Sequence, residues 1–289
     1  MGHPRLFRGR RKTLRWEGRD TLHPLRKGPM PMAFVRCYLD GSEDTEGHVF
    51  GVGGFVGYAE QWDTLQSAWL EALPVGVDYF HTTDCFSGNR QFQGIDIPQR
   101  VSLLNTLTDF VANGKLQLIC HGIDVPLYHQ FASQKKKLDP FGQNKYGTCF
   151  GRAIGLACEC MGPKNTEAES GCAFFIERDE FEATAKREFM MLRARPEIWY
   201  RDRIGTESYG DKKGKNAIPL LQVADLGAFL GLKYIAKCRP GKIDWRPYYH
   251  RLRDAGCVYK CSKDKRGEIK AMAKKLKELK HGDRYRLPG

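Results

Sequence analysis

The chain predicts an α/β protein whose mixed sheet is covered by helices on both faces. Three observations carry this. A polar turn joins two β-rich runs at 33–39 and 48–56, a hairpin signal. Short apolar runs at 116–123 and 172–176 then alternate with stretches of helical spacing. Residues 218–235 are apolar around nearly the whole circumference of a helix, which marks a buried one. Strands alternating with helices pack as a sheet between helical layers, and the opening hairpin makes that sheet mixed.

Residues 1–31 are rich in Arg, Pro and Gly without periodicity and read as a basic flexible arm. Ala33 to Leu39 is a strand ending in Asp40, and the polar turn 41–47 leads into a second strand, His48 to Val56. Its glycines 51, 53 and 54 are not followed by the Gly-Lys-Ser/Thr of a phosphate loop, so they imply a bulge or a close backbone approach. Glu60 to Ala72 spaces Trp62, Leu65 and Trp69 as a helix does; a polar loop, 79–89, follows. Pro98 to Ala112 is a helix and Leu116 to Ile123 a strand. A loop with Lys135, Lys136 and Lys137 precedes a small-residue helix from Tyr146 to Met161. Cys172 to Ile176 is an apolar strand of the buried kind, ending at Glu177. Phe181 to Ala194 reads as a helix, Glu197 to Arg203 as an edge strand, and 205–215 as a mobile polar loop. The buried helix opens with Pro219 in its first turn, where a missing N–H costs nothing. Past 236, Trp245, Tyr248, Tyr249, Leu252 and Val258 suggest a small appendage continued by a Lys-rich helix. The expected organisation is a basic arm (1–31), an α/β domain (32–236) and a basic C-terminal appendage (237–289).

Charge narrows the partners. The net charge of the 289 residues is +13, and residues 1–31 and 260–289 each carry +7, which leaves the middle at −1. Basic ends on a near-neutral body are the footprint of a polyanion binder; the plain alternative is a pair of solvated tails. No apolar run is long enough to span a membrane, and the basic N-terminus lacks the apolar block of a signal peptide. The ten cysteines show no CxxC pair, so reduced thiols and a cytoplasmic location are expected.

Three carboxylates stand out by position: Asp40 and Glu177 terminate apolar strands, and Asp225 interrupts the buried helix one turn from Gln222. Ligands of an α/β sheet gather at the carboxyl ends of its strands. An acid held by a neighbouring Arg or a helix N-terminus would explain Asp225 blandly. Three acids sharing one small volume need a cation, however, and Mg²⁺ or Mn²⁺ suits all-oxygen ligands. On that view Asp40, Glu177 and Asp225 are metal ligands and catalytic residues. Asp179 competes with Glu177, depending on where the strand stops. His81 is a candidate proton shuttle or phosphate contact, whereas Asp84 reads better as a turn or capping residue. Lys212, Lys213 and Lys215, with Gln222, are candidate contacts to a phosphate backbone; as a bland charge run the lysines are solvated. With three acids in view, Asp225→Asn is expected to leave folding intact and to ease carboxylate repulsion.

The segment Tyr38-Leu-Asp-Gly-Ser-Glu-Asp44 resembles the Tyr-x-Asp-Glu-Ser-Gly-Asp opening of a bacterial and phage family, domain of unknown function 3800. Leu221-Gln-Val-Ala-Asp-Leu226 is similar to that family's closing Leu-Gln-x-Ala-Asp-Leu helix, and the glycine-containing second strand and His81-Thr-Thr-Asp84 also fit. The resemblance spans roughly residues 34–236. It implies a ribonuclease-H-like fold, in which acids on the first strand, an inner strand or helix, and a late helix bind catalytic metal ions. Carried over, these are Asp40, Glu177 and Asp225. The chain departs from the pattern at Gly41, where the family has an acid, and at Glu43, where it has Gly; Glu43 or Asp44 is the candidate substitute.

Two functions follow as expectations. One is a metal-dependent nuclease or phosphodiesterase acting on DNA or RNA. The other is a non-catalytic nucleic-acid-binding or protein-interaction module on the same fold. A protein or guide-strand partner is compatible with either, and a membrane partner is not expected.

Overall fold

The computed structural model describes residues 35–44, 46–133, 145–162, 171–214 and 217–264. The basic arm 1–31, Lys135 to Lys137, Lys215 and the Lys-rich helix expected beyond 264 lie outside the described residues.

In chain order, β1 (Val35–Glu43) and β2 (Val49–Tyr58) form the expected antiparallel hairpin. Helices α1 (Ala59–Glu71), α2 (Thr82–Ser87) and α3 (Ile97–Asn113) lead to β3 (Gln117–Asp124), antiparallel to β2. Next come α4 (Val125–Ser133), α5 (Lys145–Cys160) and β4 (Cys172–Glu177), the last parallel to β1. Then α6 (Glu182–Ala194) precedes β5 (Ile204–Gly210), parallel to β4. Finally α7 (Leu221–Ala236), α8 (Arg246–Asp254) and β6 (Val258–Lys263) follow, β6 lying parallel to β3. The result is a six-stranded mixed sheet in the order β5-β4-β1-β2-β3-β6.

The two-residue period of the strands sorts side chains onto two faces. Cys37, Leu39, Phe174 and Ile176 point into one core with Phe150 of α5 and Phe189 of α6. Tyr38, Phe55 and Leu118 point into the other, with Trp69 of α1, Leu104 of α3 and Leu221 and Leu226 of α7. Asp40 and Glu177 share the parity of Tyr38 and Phe175, whose rings stack at 4.5 Å, so both acids belong to the α7 face. Burial of each large apolar side chain contributes about 1.5–3 kcal/mol, and thirteen residues of α7 are buried, so this helix is among the chief contributors. Its close approach to the sheet requires glycine. A Cβ on Gly227 would lie 2.7 Å from the Phe55 ring and 3.1 Å from Gly54 Cα, and one on Gly54 would lie 1.9 Å from Tyr38 O. The β2 glycines therefore serve a close backbone approach, one of the two uses expected of them.

Four expectations change. Residues 197–203 are turn and short 3-10 helix (Arg201–Arg203), and the edge strand is 204–210, inside the stretch read as a polar loop. An edge strand tolerates polar side chains because one side meets solvent, and 205–209 are only half-buried. The polar run 79–89 contains α2, one short helix closed by Gly88 at φ 76°. Helix α7 begins at Leu221, so Pro219 precedes the helix instead of lying in its first turn. The sheet domain does not stop at 236: Trp245, Tyr248, Tyr249 and Leu252 join the α7-side core, and β6 extends the sheet. Among the described residues no helix is long and apolar enough to cross a membrane, and all ten cysteines are free thiols.

Candidate active site

Three parallel strands deliver one polar side chain each to the same end of the sheet. The β1–β4 register pairs Leu39 with Ile176, which sets Asp40 level with Glu177. Glu177 in turn pairs with Gly210, the last residue of β5, and Lys212 follows two residues later. Helix α7 crosses this end and supplies Asp225 from its first turns.

The four groups meet at one point. Lys212 Nζ lies 2.8 Å from Asp40 Oδ2, 2.9 Å from Glu177 Oε2 and 2.9 Å from Asp225 Oδ1. Asp40, Lys212 and Asp225 are less than one tenth exposed; the Glu177 side chain is 28 % exposed and forms the open edge. The second oxygens of the two buried aspartates are held by backbone: Gly41 N donates to Asp40 Oδ1 at 2.8 Å, and Thr82 N to Asp225 Oδ2 at 2.5 Å. His81 stands at the wall, with Nε2 3.7 Å from Asp225 Oδ1 and Nδ1 3.0 Å from Asp84 Oδ2. A cleft of about 300 Å³ opens on the cluster.

Burial raises the Asp40 carboxyl well above the usual carboxylate range; Lys212 opposes this, while Asp225 and Glu177 add to it. Burial also works against ionised Asp225, but the Lys212 ammonium, His81 and the Thr82 hydrogen bonds outweigh it and hold that carboxyl well below its usual range. Lys212 loses hydration, yet Asp225, Asp40 and Glu177 together keep its ammonium charged well above the usual lysine range. The site is thus polarised, with a carboxyl pushed toward its neutral form on β1 and a firmly ionised carboxylate on α7.

The structure brings Asp40, Glu177, Asp225 and His81 together as expected. Glu177, not Asp179, reaches Lys212; an Asp179 oxygen instead accepts from Phe181 N at 2.7 Å, and burial raises its carboxyl above the usual range. Neither proposed substitute for the missing acid at 41 contacts Lys212. Asp44 closes the hairpin by accepting from Val49 N at 2.8 Å, and Glu43 pairs with Lys145 at the cleft rim.

Two expected substrate contacts are engaged within the protein. The Lys212 ammonium is buried against three carboxylates instead of standing in solvent. Gln222 is 2 % exposed, and its amide is committed within the protein: Oε1 accepts from Phe80 N at 2.8 Å and Trp69 Nε1 at 3.3 Å, and Nε2 donates to Lys212 O at 3.1 Å. It is a positioning residue that ties α1, the approach to α2 and the Lys212 turn to α7. Lys213 remains at the rim, 4.8 Å from the centroid of the Tyr79 ring.

The cation that three converging acids demand is in this structure the chain's own ammonium. Among the described residues no group of three or more His, Cys, Asp or Glu side chains forms a ready-made metal cage. Comparison with protein-family models, with curated proteins and with solved structures returns no match.

Proposed function

We propose that this chain is a metal-dependent phosphodiesterase of ribonuclease-H-like type acting on nucleic acid, as its resemblance to the domain of unknown function 3800 family implies. One observation carries the reading. A first-strand acid, an inner-strand acid and a late-helix acid point single oxygens at a common centre, 2.8–2.9 Å away, where the parallel pairing of β1 with β4 ends. The donor set fits a hard divalent ion, being all carboxylate oxygen and opening on a cleft. Asp40, Glu177 and Asp225 would hold Mg²⁺ or Mn²⁺, which when bound supplies an activated water and neutralises charge on the phosphate.

The chain's own groups do the rest. Gly41 N and Thr82 N fix the orientation of the two buried carboxylates, so little reorganisation is needed as charge develops. His81, 30 % exposed between Asp84 and Asp225, is placed to hold a proton at the cleft wall. Lys145 and Lys233 sit 4.9 and 5.2 Å from the ring centroids of Phe50 and Phe229, which line the cleft, and Lys213 lies 4.8 Å from that of Tyr79, so three lysines lie near the acidic floor, Lys145 paired with Glu43. A polyanion gripped by these lysines and cut at the floor suits that arrangement, and the basic chain ends add non-specific attraction. Free thiols suit a reducing cytoplasm.

Lys212 favours a second reading. An ammonium already neutralises the acids, as a non-catalytic nucleic-acid-binding module on this fold would require. Cleavage of labelled single-stranded and duplex DNA and RNA, in Mg²⁺, Mn²⁺ or chelator, separates the two. Metal-dependent cleavage by the wild type that is lost in Asp225→Asn is the expected result. Cleavage that persists in chelator or in the variant overturns the mechanism, and binding without cleavage on every substrate selects the second reading.

A further inference from the structure

We propose that the Lys212 ammonium is a built-in competitor for the divalent cation: it clamps Asp40, Glu177 and Asp225 in the metal-free chain and is expelled when an ion binds. This rests on the metal-dependent reading above. Nζ takes one oxygen from each acid at 2.8–2.9 Å, the length of a charge-assisted hydrogen bond. A magnesium ion would claim those oxygens at about 2.0–2.1 Å. Ammonium and ion need the same three atoms, and two cations cannot share them at contact distance in a buried site.

The chain also provides for the exchange. Backbone on either side of Lys212 is pinned, since Gln222 Nε2 donates to Lys212 O at 3.1 Å and Ile218 N donates to Asp211 O at 2.8 Å. The lysine stem is four flexible carbons, and Lys212 itself lines the cleft. Release of the ammonium is therefore a side-chain rotation into the cleft, without opening of the fold. The clamp explains why the metal-free chain tolerates three acids in a buried cluster, and it predicts an ion affinity well below what the bare donor set would give.

The test is calorimetric titration of MnCl₂ into the full-length wild type and into Lys212→Met, in parallel with acetylation footprinting of wild-type lysines. Mn²⁺ should bind Lys212→Met at least tenfold more tightly than wild type. In the wild type, Lys212 should be protected from acetylation without metal and modified once Mn²⁺ saturates. Equal affinities, or weaker binding by the variant, overturn the competition and leave the metal reading standing. Absence of Mn²⁺ binding by both folded proteins overturns the metal reading and the competition with it. If Lys212→Met does not fold, the wild-type footprint decides: Lys212 equally protected with and without bound Mn²⁺ overturns the proposal.

Discussion

Gln222 and Lys212, ten residues apart, are joined side chain to backbone: the Gln222 amide donates to the Lys212 carbonyl at 3.1 Å while its oxygen takes Phe80 N and Trp69 Nε1. One buried amide thus fixes the turn carrying the central cation relative to the helix carrying Asp225. Replacement by leucine keeps the volume and removes every bond. It strands two buried N–H groups, Phe80 N and Trp69 Nε1, and the buried Lys212 carbonyl, each costing about 1–3 kcal/mol before the apolar leucine offsets part of the loss. Gln222→Leu should lose about 2–4 kcal/mol in urea unfolding. A loss under about 0.5 kcal/mol would show that the amide does not organise the site.

The lysines near the cleft give a second expectation. Changing Lys145, Lys213 and Lys233 together to Gln removes three positive charges there. Each lost contact to a duplex phosphate reduces the slope of log affinity against log salt by about 0.9. Fluorescence anisotropy in chelator, across a salt series, should show a slope shallower by about 2–3 with the fold unchanged by circular dichroism. An unchanged slope would place the polyanion elsewhere.

The acids were legible because their signals are local. An acid at the end of an apolar strand, or inside a helix apolar all round, is visible without knowing any neighbour. The role of Lys212 was not, because it depends on β5 lying beside β4. The half-buried 205–209 stretch of that edge strand looks like loop, so the strand expectation falls on 197–203 instead. Gln222 announced itself as polar on a buried helix, yet Trp69 and Phe80 lie 153 and 142 residues away. Helix α2 has six residues, too few for a period to show.

The close crossing of α7 over β2 can be tested by one methyl group. A Cβ on Gly227 would stand 2.7 Å from the Phe55 ring, so Gly227→Ala forces α7 away from the sheet. Overpacking of this kind costs about 1–3 kcal/mol. Asp225 lies two residues earlier on the helix, so Mn²⁺ binding should weaken alongside stability. Gly241→Ala is the control, since a Cβ there meets nothing within 4 Å and should change stability by less than about 0.5 kcal/mol. Equal behaviour of the two variants would show that the crossing is not tight.

Asp40 and Asp225 touch the same ammonium, yet their amide variants should differ. With only the acids in view, Asp225→Asn eases repulsion; with Lys212 among them the sign reverses. Asp225 is held ionised by Lys212, His81 and Thr82 despite its burial, so its amide breaks a buried charge pair at a cost of about 3 kcal/mol. Burial already works against an ionised Asp40, so Asp40→Asn gives up less charge pairing and should cost less than Asp225→Asn, although its amide N–H must then face either Gly41 N or Lys212 Nζ. The pH dependence of the larger loss follows from the direction of the shift. Asp225 titrates lower in the folded chain than in the unfolded one, so its stabilisation is complete above the unfolded value of about 3.9 and is lost as pH falls toward the folded one. Urea unfolding from pH 8 to pH 3 should show the gap between wild type and Asp225→Asn constant above about pH 5 and narrowing below about pH 4. A gap that does not narrow, or an Asp40→Asn loss as large as that of Asp225→Asn, would mean that the charge is not distributed between the two acids in this way.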